Sequence, residues 1–257
     1  MTTATPAPAT PATRPRVSAL TRTTLEQLAA TEYARFLDLL RALTGSDWTL
    51  PTDCPAWDVQ AVAAHVLGMA EMSATLRENI RQTLAARRRG GVFLDALTNL
   101  QVQEHRALTP VEVVDRFAAA GPRAARGRAR TPGFVRRRRL PMDQLVGDAV
   151  ESWTFGYLVE TILTRDTWMH RIDVARAVKR PLTLTAEHDG VLVADVAREW
   201  ASRHQQPCTL VLTGPAGGTW TFGGSSGQTL ELDAVEFCRV LSGRGQGAGL
   251  LAVRVPF

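Results

Sequence analysis

Apolar residues recur three and four positions apart over most of the first 180 residues, which is the spacing of amphipathic helices. The pattern predicts helices over about 23–43, 58–87, 92–107, 109–120 and 152–179. Two of the starts also carry a capping residue, because Asp58 precedes the second helix and Thr109 precedes Pro110 at the fourth. Several long helices joined by a loop-rich crossover predict a four-helix bundle.

The pattern changes after about residue 181. One more amphipathic helix is predicted over 189–204, and three short β-rich runs follow it, CTLVLTG, GTWTFGG and QTLELD. The run AVEFCRVLSGR is predicted to be a closing helix that ends at Gly243. The sequence therefore predicts a mainly α protein, with a helical bundle over residues 17–181 and a small α+β C-terminal domain over 182–257.

Two segments have compositions that oppose regular packing. Residues 1–16, MTTATPAPATPATRPR, lack the apolar run and cleavage pattern of a signal peptide, so a disordered leader is predicted. Residues 122–141 concentrate arginine and are predicted to be a mobile connection unless an anion orders them.

Composition and charge exclude several classes of partner. The formal net charge is +5, but no helix-turn-helix, finger or aromatic RNA-binding signature accompanies the arginines, so no nucleic-acid partner is predicted. An anion-binding lid and a solvated connection remain the other interpretations of the arginine-rich segment. No apolar run reaches 18 residues, so no membrane span is expected. Cys54, Cys208 and Cys238 form an unpatterned set, which indicates reduced thiols and a cytoplasmic location.

Ionisable residues interrupt the apolar stripe of the last bundle helix. In RDTWMHRIDVARA (165–177), the side chains of Asp166, His170 and Asp173 share the stripe, about one turn apart. Burying such groups unpaired costs several kcal/mol. His65 likewise lies on an apolar face of the second helix. These positions also have a structural explanation. In it, His65 is a core histidine whose hydrogen bonds are satisfied, and Asp166 and His170 form an ion pair within one helix.

The combination of these residues favours a metal site over that explanation. Facing helices of a bundle are where metal sites form, and two histidines with one carboxylate leave positions open for water or substrate. His65, Asp166 and His170 are therefore predicted to bind a divalent metal, and Asp173 is predicted to orient His170.

Three segments together resemble the mycothiol-dependent maleylpyruvate isomerase family of the DinB-like metalloprotein superfamily: DWTLPTDCPAWDVQAVAAHVLGM, DTWMHRID and LDAVEFCRVLSGR. The resemblance spans nearly the whole chain after the leader and implies a DinB-like four-helix bundle followed by a small α+β domain. It implies that His65, Asp166 and His170 are the metal ligands. Trp57, which opens the second helix, would contact the substrate, and Arg244 would be catalytic.

The resemblance also implies the chemistry. It predicts a divalent metal, with zinc as the expected ion, and mycothiol as the thiol cosubstrate for isomerisation of, or S-transfer to, a small electrophilic substrate. Arg244 would hold an anionic group of that substrate. The family has Glu where Asp166 stands, one methylene longer, so the identity of the substrate stays open. A monomer or homodimer is expected.

Two other functions stay open at this point. One is a metal-dependent isomerase, cyclase or hydrolase that uses the same scaffold without a thiol. The other is a non-catalytic bundle that binds a small molecule, in which the pair formed by Asp166 and His170 is structural. Metal analysis separates the second function from the enzymes, and a test of thiol dependence separates the first.

Overall fold

The computed structural model describes residues 14–224 and 226–257. Its α-helices are α1 (Arg22–Arg41), α2 (Val59–Ala74), α3 (Leu76–Arg89), α4 (Phe93–His105), α5 (Pro110–Ala129), α6 (Gly133–Arg136), α7 (Leu163–Ala177), α8 (Val191–His204) and α9 (Ala234–Ser242). Its strands are β1 (Gln144–Val146), β2 (Ala149–Glu151), β3 (Cys208–Thr213), β4 (Gly218–Phe222) and β5 (Gln228–Asp233). A π-helical segment, Tyr157–Ile162, leads directly into α7.

Helices α1, α2, α5 and α7 pack against one another and form the predicted four-helix bundle. Helix α4 packs on α2, and α3 packs on both. Helices α1, α2, α5 and α7 contribute apolar side chains to the bundle core, whereas α3 and α4 form a separate apolar cluster. The core side chains include Tyr33, Phe36, Val62, Val66, Phe117 and Val174.

The C-terminal segment has the predicted α+β composition. Strand β3 lies at the centre of a three-stranded sheet, antiparallel to β4 and parallel to β5. Helices α8 and α9 pack together and contribute Trp200 and Phe237 to an apolar cluster. Trp168, Met169 and Ile172 of α7 belong to the same cluster, so α7 connects the bundle to this segment.

Helix α7 is buried on nearly all sides, which an amphipathic stripe does not predict. Most of its residues from Thr164 to Ala175 are buried, including Arg165 and Arg171. Those two arginines pair with carboxylates of other elements, namely Glu32, Asp189, Asp195 and Glu199. Helix α7 is therefore in contact with other parts of the protein on several faces, and its polar residues have different partners on different faces.

The prediction of one helix over 58–87 is wrong. The chain becomes extended at Thr75 (φ −145°, ψ 144°), and α3 begins at the next residue. The hydroxyl of Thr75 accepts a hydrogen bond from the backbone N–H of Glu78, so this side chain caps a new helix in the middle of the predicted one.

The predicted end of the fourth helix near residue 120 is wrong, so the first part of the 122–141 segment is helical. Helix α5 continues through Pro122 to Ala129, and α6 follows shortly afterwards. Arg128 is buried, and its guanidinium donates to the backbone oxygens of Val159 (2.5 Å) and Glu160 (3.1 Å). Those carbonyls lie in the π-helical segment, so a charged side chain expected in solvent instead supports the start of α7. The hairpin formed by β1 and β2 was not predicted.

Residues 1–13 of the predicted leader lie outside the described residues. At the end of that leader, Arg16 forms a parallel bridge with Trp153, and its Nε donates to Glu151 at 2.6 Å. No helix in the described part of the chain is long and apolar enough to cross a membrane.

Candidate metal centre

Helices α2 and α7 carry the three predicted metal ligands. His65 lies in the middle of α2, and Asp166 and His170 lie one turn apart on α7. Both imidazoles are almost fully buried, with exposed fractions of 4% and 5%. The structure therefore brings together residues that are about 100 positions apart in the sequence.

The carboxylate of Asp166 lies between the two imidazoles. Its Oδ2 is 3.5 Å from Nε2 of His65, and its Oδ1 is 3.4 Å from Nε2 of His170. One ligand atom from each residue lies within 4.8 Å of the other two. These three groups are close enough to share a single ion.

The donor set fits a divalent metal. Asp166 Oδ2 is buried and makes no hydrogen bond in the described structure. A buried carboxylate oxygen without a partner is costly, and a bound cation would satisfy it. Two imidazole nitrogens and one carboxylate oxygen are ligands that zinc takes in catalytic sites, where a further position stays open.

Each imidazole uses its other ring nitrogen to contact a fixed polar group. His170 Nδ1 is 3.0 Å from Asp173 Oδ2, and His65 Nδ1 is 2.9 Å from Gln101 Oε1. Both contacts leave Nε2 directed toward Asp166. Such contacts orient a metal-binding imidazole and select its tautomer.

Arg244 reaches the same site from the C-terminal segment. Gly243 adopts the left-handed conformation (φ +97°) that ends α9, and Arg244 follows it. The guanidinium donates from Nε and Nη2 to the two oxygens of Asp173, both at 2.7 Å. Arg244, Asp173 and His170 therefore form a continuous chain of contacts.

Cys54 lies beside this chain, in the loop before α2. Its Sγ is 3.5 Å from Asp173 Oδ2 and 3.6 Å from Arg244 Nη2, and the side chain is half-buried. The cysteine count marked it only as one of three unpaired thiols. The sequence does not show which loop residues meet the C-terminal segment, so this position was missed.

The indole ring of Trp57 packs against both imidazoles. Its ring centroid lies 5.2 Å from that of His65 and 5.8 Å from that of His170. Hydrogen bonds within the loop fix its backbone, since its N–H donates to Cys54 O and its carbonyl accepts from the hydroxyl of Thr52 (both 2.8 Å). The predicted substrate-contacting residue therefore borders the candidate metal centre.

Opposite charges dominate the electrostatics of the cluster. Burial raises the pKa of Asp166, but His170 and His65 lower it more, so the net pKa lies well below the ordinary value. Burial lowers the pKa of His170, but Asp166 raises it more, so the net pKa lies well above the ordinary value. The ionised carboxylate of Asp166 and the charged form of His170 therefore stabilise each other.

The Asp173 carboxylate is ionised as well. Burial raises the pKa of Asp173, but hydrogen bonds from His170 and Arg244 outweigh it and bring the pKa below the ordinary value. Because Asp173 is charged, the hydrogen bond that it accepts from His170 Nδ1 is stronger than one to a neutral acceptor. The structure thus brings every predicted site residue into one neighbourhood, with Gln101 and Cys54 added.

Gln101 could have been found by the criterion that identified His65. It continues the buried apolar face of α4 that Leu97 and Leu100 begin, so a polar side chain interrupts an apolar stripe there too. The signal was present in the sequence, but an uncharged residue type did not suggest a role.

A cleft of the described structure lies away from this site. It has a volume of about 1320 Å³ and lies between the β1–β2 hairpin, the chain around Arg16, and α8. None of the candidate metal ligands lines it. The candidate site is therefore assigned from its ligand chemistry and not from the size of a cavity.

Comparisons with known proteins find a family, two sequence relatives and two solved structures that the chain resembles. Residues 28–175 match the family described as the mycothiol maleylpyruvate isomerase N-terminal domain. This range contains His65, Asp166, His170 and Asp173, whereas Arg244 lies outside it.

Two uncharacterized proteins of Mycobacterium tuberculosis, Rv0036c and MT0041 from two strains, are each 28% identical over 228 residues. Each alignment covers 81% of this chain and 80% of the relative.

Two crystal structures share the fold of the chain. One is of the mycothiol-dependent maleylpyruvate isomerase, with a TM-score of 0.56, 14% identity, and coverage of 89% of this chain and 92% of that one. The other is of a histidine-to-alanine mutant of the mycothiol-dependent maleylpyruvate isomerase, with a TM-score of 0.55, the same identity, and coverage of 88% and 90%. The DinB-like fold implied by the sequence is thereby confirmed.

Proposed function

This chain belongs to the family defined by the mycothiol maleylpyruvate isomerase N-terminal domain, and we propose that it is a divalent-metal-dependent enzyme that uses mycothiol as its cosubstrate. The proposed reaction is isomerisation of, or S-transfer to, a small electrophilic substrate. One observation carries the metal dependence of this proposal. The buried Asp166 Oδ2 has no hydrogen-bond partner in the described structure and lies between two imidazoles.

The proposed ligands are Nε2 of His65, the carboxylate of Asp166, and Nε2 of His170. A divalent ion held there, with zinc expected, would lower the pKa of a thiol that binds beside it and so supply thiolate at neutral pH. Asp173 keeps the ring of His170 in the orientation that this arrangement needs, since it contacts the other ring nitrogen at 3.0 Å.

Arg244 is proposed to bind the anionic end of the substrate. Two of its nitrogens are occupied by Asp173, while Nη1 makes no hydrogen bond within the described residues. Addition of sulfur to a carbon conjugated with a carbonyl places negative charge on oxygen, which a guanidinium N–H stabilises. The pair with Asp173 would hold the guanidinium in place before the substrate arrives.

Trp57 is proposed to shape the substrate side of the site. Its ring covers the two imidazoles and leaves an apolar surface next to the ligand atoms. An apolar wall limits the access of water, which strengthens the electrostatic effect of Arg244 on the reacting group.

The experiment that tests the proposal starts with elemental analysis of the purified protein. Activity is then measured on maleylpyruvate and on simple electrophiles, with and without mycothiol, before and after removal of the metal. The proposal expects turnover that needs both the metal and the thiol. Turnover with the metal but without the thiol would indicate a thiol-independent enzyme on this scaffold. A fully folded protein that contains no metal would indicate a non-catalytic binding bundle.

A further inference from the structure

The side-chain amide of Gln101 contacts His65, whereas the carboxylate of Asp173 contacts His170. Gln101 belongs to a buried chain of hydrogen-bonded glutamines. Gln101 Oε1 lies 2.9 Å from His65 Nδ1, and Gln101 Nε2 donates to Gln82 Oε1 at 2.9 Å. Gln82 Nε2 in turn donates to the backbone oxygen of Gly68 at 3.0 Å. Both glutamines are fully buried.

We propose that Gln101 is a positioning residue for His65 and that Gln82 sets its orientation. This inference rests on the proposed metal-binding role of His65. The three side chains form a relay that starts at a backbone carbonyl of α2 and ends at a ring nitrogen on the same helix. In the neutral ring of His65 the relay favours the tautomer in which Nδ1–H donates to Gln101 Oε1 and the lone pair of Nε2 faces Asp166.

The direction of the relay follows from the groups at its far end. Gly68 O and the carboxylate oxygen Glu78 Oε1, each 3.0 Å from Gln82 Nε2, can only accept hydrogen bonds. Gln82 must therefore present its NH₂ to them and its oxygen to Gln101. Gln101 must then present its NH₂ to Gln82 and its oxygen to His65.

Glu78 is fixed as an acceptor by its own partner. Arg81 donates from Nε to both oxygens of Glu78, at 3.0 and 2.9 Å, and from Nη2 at 2.6 Å. The hydrogen bonds from Arg81 lower the pKa of Glu78, so this carboxyl is ionised at neutral pH. An ionised carboxylate has no proton to donate, which keeps Gln82 in one orientation.

The backbone of α2 is also shaped for this relay. A Cβ atom at Gly68 would lie 2.6 Å from both Cβ and Cγ of Gln101, closer than real side chains approach. Glycine at this position lets α4 come near enough for Gln101 to reach His65. Gly68 thus provides both the space for Gln101 and the carbonyl that orients Gln82.

Isosteric methionine variants test the proposal. Gln101→Met and Gln82→Met remove the hydrogen bonds while keeping side-chain length and helix propensity. Gln103→Met is the matched control, because Gln103 is exposed on the same helix. Zinc affinity is measured by competition with a chromophoric chelator, and the tautomer of the His65 ring is measured by ¹⁵N NMR in zinc-free protein, at a pH where the ring is neutral.

The relay predicts that Gln101→Met weakens zinc binding about ten- to a hundredfold. Gln82→Met, which does not touch His65, should weaken it in the same direction by a smaller factor, and Gln103→Met should leave it unchanged. In zinc-free protein the neutral ring of His65 should carry its proton on Nδ1. In Gln101→Met the proton should move to Nε2, which faces Asp166 at 3.5 Å.

An unchanged ring tautomer in Gln101→Met would overturn the proposal, as would wild-type affinity and tautomer in Gln82→Met. The ring measurement does not require bound metal, so the relay is tested even if the proposed function fails. A wild-type chain that binds no zinc, with the tautomer responding as expected, would remove the metal role and keep the positioning role.

Discussion

Two buried polar clusters on different faces of α7 contain the same kinds of side chain and have different properties. In the candidate metal centre, Asp166 lies between two histidines, and its Oδ2 accepts no hydrogen bond in the described structure. The second cluster, called here the Arg171 cluster, joins α7 to α1 and to the chain before α8. Its members are Glu32, Arg35, Arg171, His188 and Asp189.

Every carboxylate oxygen of the Arg171 cluster accepts a hydrogen bond. Arg171 Nε contacts Glu32 Oε1 at 2.6 Å, and His188 Nε2 contacts Glu32 Oε2 at 2.7 Å. Asp189 Oδ1 accepts from Arg171 at 2.8 Å, and its Oδ2 accepts from Arg35 at 2.6 Å. Permanent guanidinium cations therefore neutralise both acids.

The difference shows what identifies a metal site. Both clusters contain a buried histidine next to a carboxylate, so this pair alone does not distinguish them. In the Arg171 cluster a guanidinium occupies the position where a cation would bind. Within the described residues, no arginine or lysine forms an ion pair with Asp166. The oxygen without a partner, and not the acid–histidine pair, is the informative feature.

The largest expected effect separates the clusters by their metal content. His65→Ala or Asp166→Ala should reduce the metal from about one ion per chain to near zero, because two remaining ligands hold a divalent ion weakly. His188→Ala is the matched control, since it removes a buried histidine from a carboxylate of the Arg171 cluster. Elemental analysis of the three proteins is the measurement. Full metal retention in His65→Ala would exclude the proposed site.

The next effect separates the clusters by stability. Arg171→Met leaves Glu32 buried without its guanidinium partner and leaves Asp189 with Arg35 alone. Breaking a buried pair in this way costs about 3–5 kcal/mol. Metal content should stay at the wild-type level in the protein that folds. Urea unfolding of the metal-free proteins measures the change, with Asp166→Ala as the comparison. Equal destabilisation by both variants would show that the two clusters do not differ in this respect.

The ligands of the candidate site were predictable because they violate a local rule. His65, Asp166 and His170 interrupt apolar stripes, and a stripe can be read from sequence neighbours alone. The four-helix bundle and the three C-terminal strands were predictable for the same reason, since each depends on a short-range periodicity. The capping of α3 by Thr75 was missed because the apolar pattern continues across it, although Thr75 and Glu78 have the spacing of a capping box.

The Arg171 cluster could not be predicted. Its members come from α1, α7 and the segment before α8, and the sequence does not show which acids meet which arginines. Arg171 has the residue type expected on the solvent-facing side of an amphipathic helix, but it is buried and pairs with Glu32 of α1 and with Asp189. Arg128 is similar, because its role depends on π-helical carbonyls that no residue pattern marks.

A smaller effect concerns activity at the metal centre alone. Arg244→Ala should lower kcat/KM about a hundredfold, or about 3 kcal/mol, through loss of charge stabilisation. Arg244→Lys should recover part of the activity, because an ammonium cannot pair with both oxygens of Asp173 as a planar guanidinium does. Metal content, measured on the same samples, should be retained, because arginine is not a ligand.

Arg176→Ala is the matched control for Arg244. Arg176 is exposed on α7 and pairs with Asp53, without contact to Asp173. Its removal should leave kcat/KM unchanged, on whichever substrate the thiol-dependent assay identifies. Wild-type turnover from fully metallated Arg244→Ala would leave the C-terminal segment without a catalytic role.

The smallest expected effect concerns a third group of ions, in which Arg165 of α7 pairs with acids of α8 and every acid is also paired. Glu199 forms an ion pair with Arg165 at 2.8 Å, and it accepts hydrogen bonds from Arg203 and from the hydroxyl of Tyr157, both at 2.7 Å. Burial raises the pKa of Glu199, but Arg165 and Arg203 outweigh burial and lower it from an ordinary value of 4.5 to about 2. The folded protein therefore binds fewer protons at this group than the unfolded chain does between these two values.

It follows that Glu199 contributes stability above its ordinary pKa, and that this contribution is lost as the pH falls from 4.5 toward 2. Glu199→Gln removes the titration but keeps a side chain that can accept from Tyr157, and Arg165 keeps Asp195 as its partner. The variant should be modestly less stable than wild type at neutral pH, with the difference shrinking as the pH is lowered through that window. Urea unfolding midpoints measured across the acid range are the test, and parallel curves for the two proteins would contradict it. Because no metal ligand is changed, metal content at neutral pH should stay at the wild-type level, which is the property that distinguishes Glu199, a paired acid of α8, from Asp166.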